Sequence, residues 1–530
     1  MGKEYRNQRA TWEPVVEVSI TSRGHWAWSN EPLRKANIAC ADGRVKCPEK
    51  REYDVESQTM NPIEMSPEQF RYLCERVIEI AADYLKGLDG RVIPPEGGGV
   101  EMERAYCTEL PETGLPEEAI RGLTDVARHS RAQNGRFFGY VLGSGEPAAA
   151  VADLLCSVLN QNVTAWRSAP SAVTIERTVV GWLAQAVGCQ NFQGLMTGGG
   201  SAANLMGLAM AREAKTPAND GGFQAGVACA VYASTEVHMS IRKAVALLGI
   251  GRENLRLVPV DESFRLIPGR LEEVMRRDKD QGITPVAVVA TAGTVNTGAI
   301  DPLAQVAAIA AKYGAWFHVD GSYGALAAIA ERHKFEGLEL ADSISLDPHK
   351  WLYQPIDCGC LLYRDSAAAR RAFADSGEYV RALTSDPIEG FAFFEESMEL
   401  SRRFRALKLW FSLRYHGLAR LRKSIEKDLL HARRLATSIA NEPELQLLAP
   451  VELSAVCFRY IGKGNMPEAG LNQLNFEILR RVISRGHVYL SNATLHSKFC
   501  LRACIVNHRT TDSDIDSVLD EVLAAAREVQ

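Results

Sequence analysis

The segment at residues 285–320, PVAVVATAGTVNTGAIDPLAQVAAIAAKYGAWFHVD, decides the fold class. Its first nine and last six residues are apolar runs rich in valine and alanine, which is typical of buried strands. The middle, 301–314, has a helical pattern in which Asp301 can cap, Pro302 suits the first turn and Gly314 ends the helix. This order predicts two parallel strands joined by a crossover helix.

The same alternation continues on both sides of this segment. Apolar runs at 226–234, 341–347 and 358–365 are separated by helical patterns. We therefore predict an α/β fold whose large domain has a mostly parallel sheet covered by helices. After about residue 400, amphipathic helices mixed with strands predict a smaller C-terminal α/β domain. Ligands of parallel sheets bind beyond the carboxyl ends of the strands, so residues in those positions are the first site candidates.

Composition favours a small molecule as the main partner. The chain has 530 residues, 46% of them hydrophobic, and a net charge of -5, which argues against nucleic acid or an anionic membrane. We find no apolar run long enough to span a bilayer and no signal-peptide pattern at the N-terminus. The twelve cysteines are scattered, as expected of free thiols in a reducing cytosol, so we expect a cytoplasmic protein.

A glycine-rich motif, TGGGSAANLMGLAMAR at 197–212, follows one predicted element and opens a helix. Glycines such as Gly200 let backbone N–H groups approach an anion, and the helix that starts at Ser201 favours phosphate at its positive end. Because no lysine follows the glycines, this is not a Walker motif. A simple helix-capping turn is the alternative interpretation.

Three further side chains follow predicted strands. Asp320 ends the run AWFHVD, where a buried carboxylate requires a cation or hydrogen-bond donors, although a structural role is the alternative. Lys350, in SLDPHKWLYQ at 345–354, has buried-type neighbours that make an amine nucleophilic towards carbonyls; the alternative is a surface lysine. The ring of His238 can stack on a planar ligand or simply pack. Together with the phosphate motif, these are the groups that pyridoxal phosphate requires.

Six segments in this order resemble the group II pyridoxal-phosphate-dependent amino acid decarboxylases, which include aromatic-L-amino-acid and glutamate decarboxylases. The segments are TGGGSAAN, VHMSIRKA, ATAGTVNTGAIDPL, WFHVDGSYG, DSISLDPHKWL and SRRFRALKLWF, and the resemblance covers about residues 65–525. It implies the aspartate-aminotransferase-like fold (fold type I), pyridoxal 5'-phosphate as cofactor, and a homodimer whose two subunits line each active site.

The resemblance also implies a role for each candidate residue. Lys350 would bind the cofactor covalently, Asp320 would pair with its pyridine nitrogen and His238 would stack on its ring. These three are the expected catalytic residues. Further cofactor contacts are implied for Gly200, Ser201 and His349 near the phosphate, and for Thr294.

Two segments match the part of the family that lines the substrate pocket. Tyr140 and Trp166 lie in them and favour an aromatic amino acid, unless both only pack the dimer interface. Arg167 would instead favour an acidic substrate. The implied domains are an extension of unknown role (1–60), a dimer-forming helical segment (61–150), a cofactor-binding large domain (151–395) and a small C-terminal domain (396–530).

The expected reaction is decarboxylation of an L-amino acid, leaning aromatic, to its amine and CO2. The chain departs from the family at Asp347, where asparagine is common, and at 385–400, SDPIEGFAFFEESMEL, which has phenylalanines but lacks the family's proton-donating tyrosine. The nearest upstream tyrosine, Tyr379, lies early in the chain for a match to it, and Glu395 or His349 is the alternative proton donor. One alternative is therefore an aldehyde-forming reaction. An aminotransferase, for which Arg502 resembles the substrate-binding arginine, is the other.

Overall fold

The computed structural model describes residues 61, 63–224, 226–375, 386–464 and 466–530. The extension predicted at 1–60 and the tyrosine Tyr379 lie outside these described residues. Residues Glu68–Gln530 fold as one compact unit. Among the described helices, none is long and apolar enough to cross a lipid bilayer.

Five helices precede the central sheet, and four of them begin at a proline. Proline suits the first helical position because its fixed φ matches the helix and its missing N–H is not needed there. The helices are α1 (Pro67–Gly87), α2 (Gly99–Tyr106), α3 (Pro116–His129), α4 (Pro147–Leu159) and α5 (Pro170–Val187).

A seven-stranded sheet forms the centre of the molecule, in the order β1-β7-β6-β5-β4-β2-β3. Only β7 runs antiparallel to its neighbours; the other pairs are parallel, which confirms the predicted fold class. The sequence prediction missed the short strands β1 and β3. The strands are β1 (Gln193–Thr197), β2 (Cys229–Ser234), β3 (Leu255–Val258), β4 (Thr284–Thr291), β5 (Trp316–Asp320), β6 (Ser343–Leu346) and β7 (Gly359–Tyr363).

Helices connect these strands and cover the sheet. They are α6 (Gly200–Lys215), α7 (Met239–Leu247), α8 (Pro268–Asp280), α9 (Leu303–Lys312), α10 (Pro348–Trp351) and α11 (Ser366–Phe373). Asp301 does not cap α9 as predicted. Its carboxylate instead accepts hydrogen bonds from the backbone of Leu266, at 2.7 Å, and Thr291, at 2.8 Å. Burial raises the pKa of Asp301 to about 6. This buried side chain therefore joins two chain segments rather than starting a helix.

The C-terminal part contains an antiparallel four-stranded sheet in the order β10-β11-β9-β8. The helix that the sequence predicts over residues 400–417 begins only at Ala406 and ends at Gly417, whose φ of +75° favours glycine. The long helix that directly follows, from Leu418, was not predicted. The elements are α12 (Ala406–His416), α13 (Leu418–Asn441), β8 (Leu445–Leu447), β9 (Ala455–Tyr460), α14 (Glu468–Arg485), β10 (Ser491–Leu495), β11 (Lys498–Cys504) and α15 (Asp512–Val529). The domain boundaries drawn from the sequence stay a prediction.

Candidate active site

A cavity of about 490 Å³ lies where β4, β5 and β6 end, which is the expected place for a ligand in a parallel sheet. Six of the nine predicted site residues line it. The described lining residues are Gly198, Gly199, Gly200, Ser201, Ala202, His238, Thr291, Gly293, Val295, Asp320, Ser322, Tyr323, Asp347, His349, Lys350 and Ile356.

The glycine-rich motif forms one wall of this cavity, between β1 and α6. Gly199 has a φ of +146°, a conformation that favours glycine. A Cβ atom on Gly200 would lie 2.1 Å from Oγ of Ser322, so a larger residue would displace that side chain. The backbone therefore borders the cavity in a concave cradle at the start of a sixteen-residue helix, an arrangement suited to an anion.

Lys350 lies on the short helix α10 that directly follows β6. Its Nζ atom is 2.8 Å from Oδ2 of Asp347, and its side chain is 17% exposed. The next residue, Trp351, is fully buried and stacks on Tyr323 with ring centroids 6.0 Å apart. On the other side, the N–H of Gly143 donates a 3.1 Å hydrogen bond to the carbonyl of His349. Packing on both sides fixes the turn and aims the amine into the cavity.

The carboxylate of Asp320 is held by three donors at the end of β5. Oδ1 accepts hydrogen bonds from the N–H of Ser322, at 3.2 Å, and the hydroxyl of Ser345, at 3.0 Å. Oδ2 accepts one from Nδ2 of Asn204, at 2.8 Å. Burial by itself would raise the pKa of Asp320, but the Ser322 hydrogen bond and the positive charge of Lys350 hold it below its ordinary value. A buried, ionised carboxylate can hold a proton on a ligand nitrogen.

Two histidines complete the cavity. Nδ1 of His238 lies 2.8 Å from the hydroxyl of Ser240, and Nδ1 of His349 donates a hydrogen bond to the carbonyl of Cys358 at 2.8 Å. Burial lowers the pKa of both rings. Both are therefore neutral near pH 7, and the ring of His238 is free to lie against a flat ligand.

Three predicted site residues do not line the cavity in the described chain. Thr294 is fully buried, and its hydroxyl lies 2.8 Å from that of Thr297. Tyr140 is 54% exposed, with its hydroxyl 3.1 Å from that of Tyr489. Trp166 is half-buried and donates its backbone N–H to the carbonyl of Phe391.

Buried polar residues behind the cavity were missed by the sequence analysis. Asn204 contacts Asp320 through its amide nitrogen and His318 through its amide oxygen, which is 2.9 Å from Nε2 of that ring. Burial lowers the pKa of His318 to about 4. The alternation of side chains along a strand could have identified His318. It lies two residues before Asp320, so both side chains are on the same face of β5.

The phenylalanines that raised doubt about the reaction belong to the core. Phe393 is fully buried, with the guanidinium of Arg402 4.3 Å above its ring centroid, and Phe391 packs edge-on against it at 4.8 Å. Arg402 is itself fully buried and pairs with Glu176. These rings therefore anchor the segment before α12 to the large domain. They are not free to act as a mobile cover over the cavity.

A family model described as the pyridoxal-dependent decarboxylase conserved domain matches residues 112–461. The chain belongs to this family. An aromatic-L-amino-acid decarboxylase of Bacillus atrophaeus is 32% identical over 473 residues, which cover 88% of this chain and 97% of that protein. A phenylacetaldehyde synthase of Petunia hybrida is 29% identical over 83% of this chain and 91% of its own length. The crystal structure of Oryza sativa TDC with PLP and tryptamine superimposes with a TM-score of 0.83 at 28% identity, covering 89% of this decarboxylase and 99% of that chain.

The cavity of this decarboxylase fits pyridoxal phosphate at three of its functional groups. The glycine cradle suits the phosphate, Asp320 suits a protonated pyridine nitrogen and Lys350 suits the aldehyde. When bound, this cofactor draws electrons away from the α-carbon of an amino acid, which permits loss of CO2. The enzyme is thus a pyridoxal-phosphate-dependent amino acid decarboxylase.

Proposed function

We propose that this enzyme converts an aromatic L-amino acid to its amine and CO2. The observation that carries the proposal is the convergence of Lys350, Asp320 and His238 on one cavity beside the glycine cradle. The aromatic preference is supported by the decarboxylase of Bacillus atrophaeus and by the tryptamine present in the Oryza sativa structure.

Each catalytic residue has a distinct task in this proposal. The amine of Lys350 binds the cofactor aldehyde, and the carboxylate of Asp320 holds a proton at the pyridine nitrogen. An opposite charge in contact shifts a pKa by about 1 to 3 units, so this proton stays bound at neutral pH. The neutral ring of His238 would lie against the cofactor ring. Ser201, Gly200 and His349 would hold the phosphate.

Thr294, Tyr140 and Trp166, the other predicted site residues, have roles outside the cavity of the single chain. The hydroxyl of Thr294 accepts a hydrogen bond from the N–H of Ala299, which stabilises the turn whose residues Gly293 and Val295 line the cavity. Tyr140 and Trp166 do not line the cavity of the single chain, and we propose that they contact the substrate of a second copy of the chain.

A homodimer in the cytoplasm is part of this proposal. Within Pro67–Gly87, all of it described, no residue is buried, although Val77 and Ile78 are apolar and about half exposed. On α4, Val151 and Leu155 are exposed as well. These surfaces support burial against a second subunit. None of the ten cysteines in the described part of the chain forms a disulfide, which supports a reducing compartment.

An amine product is favoured over an aldehyde by the position of the phenylalanines. Phe391 and Phe393 pack in the core, so they do not replace a proton-donating tyrosine in the loop. The tyrosine of residues 366–401 is Tyr379, which we propose as that donor. The aldehyde-forming alternative is supported by the similarity to the phenylacetaldehyde synthase. The aminotransferase alternative is less well supported, because Arg502 is already bound to Ser491 and to the carbonyl of Tyr140.

The test is to incubate the purified enzyme with pyridoxal phosphate and single amino acids, and to quantify every product. We expect one amine per CO2 from tryptophan, tyrosine or phenylalanine, and no peroxide. Aldehyde with ammonia and peroxide would instead establish the oxidative reaction, and amine transfer to a keto acid an aminotransferase. Turnover of glutamate alone would overturn the aromatic preference. The variant Tyr379→Phe should shift products from amine towards aldehyde; an unchanged product ratio would exclude Tyr379 as the donor.

A further inference from the structure

A second carboxylate, that of Asp347, lies inside the cofactor cavity. It is 3% exposed, and its Oδ2 atom is 2.8 Å from Nζ of Lys350 and 3.6 Å from Nε2 of His349. Its Oδ1 atom is buried and has no hydrogen-bond partner among the described residues. A buried carboxylate oxygen without a donor is costly, so this side chain requires an explanation.

Asp347 faces the same glycines that form the phosphate cradle. A Cβ atom on Gly200 would lie 3.1 Å from Oδ2 of Asp347, and one on Gly199 would lie 3.8 Å from Oδ1. The carboxylate is therefore in contact range of the cradle where an anion is expected. Two like charges at such a distance in a partly enclosed cavity repel each other.

The described chain offers little positive charge to offset this repulsion. Among the described lining residues, the charged side chains are Asp320, Asp347 and Lys350. The guanidinium of Arg405 lies near Gly198, where its Nη2 atom would be 3.8 Å from an added Cβ atom, but Asp357 binds it at 2.8 Å and Glu399 at 3.1 Å. Lys350 is thus the cation that neutralises Asp347, and the cofactor aldehyde requires the same amine.

We propose that Asp347 is a positioning residue that holds Lys350 in the cofactor-free enzyme and weakens retention of the cofactor's phosphate, so that the enzyme exchanges its cofactor readily. This inference rests on the proposed attachment of the cofactor to Lys350. Asp347 opposes the cofactor in two ways: it competes for the amine, and it repels the phosphate. The first effect acts on any aldehyde, whereas the second acts only on one that carries a phosphate.

Two probes separate these effects: pyridoxal phosphate and pyridoxal, which lacks the phosphate. Dissociation constants and dissociation rates of both are measured by absorbance for the wild type and for Asp347→Asn, which keeps the size and removes the charge. We expect Asp347→Asn to bind pyridoxal phosphate at least about tenfold more tightly. Pyridoxal should change by less than about threefold. Asp280→Asn removes the same charge at the exposed end of α8, at a residue that does not line the cavity, and should bind both probes like the wild type.

Several outcomes would overturn the inference. Unchanged or weaker binding of pyridoxal phosphate by Asp347→Asn would contradict it. An equal gain in affinity for both probes would refute the proposed repulsion between Asp347 and the phosphate. If Asp347→Asn does not fold, Asp347→Ser removes the charge with a smaller side chain and carries the same expectations. Borohydride trapping and peptide mapping are performed on each protein. A label on a lysine other than Lys350 in the wild type would refute the proposed attachment, whereas a Lys350 label with unchanged affinities would refute only this inference.

Discussion

Nδ2 of Asn204 donates a 2.8 Å hydrogen bond to Oδ2 of Asp320. The same nitrogen is 2.9 Å from the hydroxyl of Ser240, which in turn contacts His238. The amide oxygen of Asn204 accepts a hydrogen bond from Nε2 of His318. One buried amide therefore connects the carboxylate proposed to hold the ring proton with the histidine proposed to cover the ring. Satisfied buried networks of this kind fix side-chain orientation.

We expect Asn204→Ala to slow turnover without abolishing cofactor binding. The substitution removes one of the three donors to Asp320, so the carboxylate can rotate away from the pyridine nitrogen. Because a hydrogen bond to a charged group contributes about 1.5 to 3 kcal/mol, kcat should fall about tenfold to a hundredfold. The pH at which the bound cofactor changes its absorbance should shift as well. Asn441→Ala, at the exposed C-terminal end of α13, is the matched control; equal loss of activity in both variants would indicate a general effect on folding.

Asp320→Asn should have a larger effect on catalysis. The neutral amide keeps the shape of the site but no longer stabilises a proton on the ring nitrogen, so the cofactor should bind while kcat falls at least about a hundredfold. Cofactor content is measured by absorbance, and turnover by the amine formed. Near-normal turnover would contradict the role that we assign to Asp320.

His318 should make the free energy of unfolding depend on pH. The folded protein keeps the pKa of this ring at about 4, whereas an unfolded histidine has a pKa of about 6.5. Between these values the unfolded state takes up a proton that the folded state does not, so stability is lost as the pH falls from about 6.5 towards 4. The expected loss for this group is about 1.6 kcal/mol between pH 6.5 and 5.

Urea unfolding of the wild type and of His318→Gln at both pH values measures this difference. The variant should lose about 1.6 kcal/mol less than the wild type over that range. Burial lowers the pKa of His508 to about 3, and its contribution remains in both proteins. Identical pH dependence in the two proteins would show that His318 does not contribute.

Gly143→Ala should impair cofactor attachment. A Cβ atom on Gly143 would lie 2.3 Å from the carbonyl oxygen of His349 and 2.5 Å from that of Lys350, so the turn that carries the lysine must move. We expect the dissociation constant of pyridoxal phosphate to rise at least about tenfold, because a misplaced lysine binds the aldehyde poorly. Gly181→Ala is the matched control, since a Cβ there would have no atom within 4 Å apart from its chain neighbours and its own helix backbone. Equal cofactor affinity in both variants would mean that the turn tolerates the added atom.

The sequence by itself determined the fold class, the family and six of the residues that line the cavity. Strands and helices were identified by their different hydrophobic periods. Parallel sheets bind ligands beyond the carboxyl ends of their strands, so the glycines, Asp320 and Lys350 at those ends were identified as cavity residues. Asp301 shows a limit of this reasoning. Its position before Pro302 suits a helix cap, yet its carboxylate accepts hydrogen bonds from the backbone of Leu266 and Thr291. These partners depend on which chain segments lie next to each other in the folded protein.

Only the tertiary structure decided which polar groups meet behind the cavity. Asn204 and Asp320 are 116 positions apart in the chain, and no local pattern brings an amide to a carboxylate over such a separation. The same holds for Phe393: the sequence shows a phenylalanine before α12, whereas its burial beneath Arg402 shows that the ring is core. Local sequence preferences act over a few residues, but burial and charge pairing arise from the packing of the whole chain.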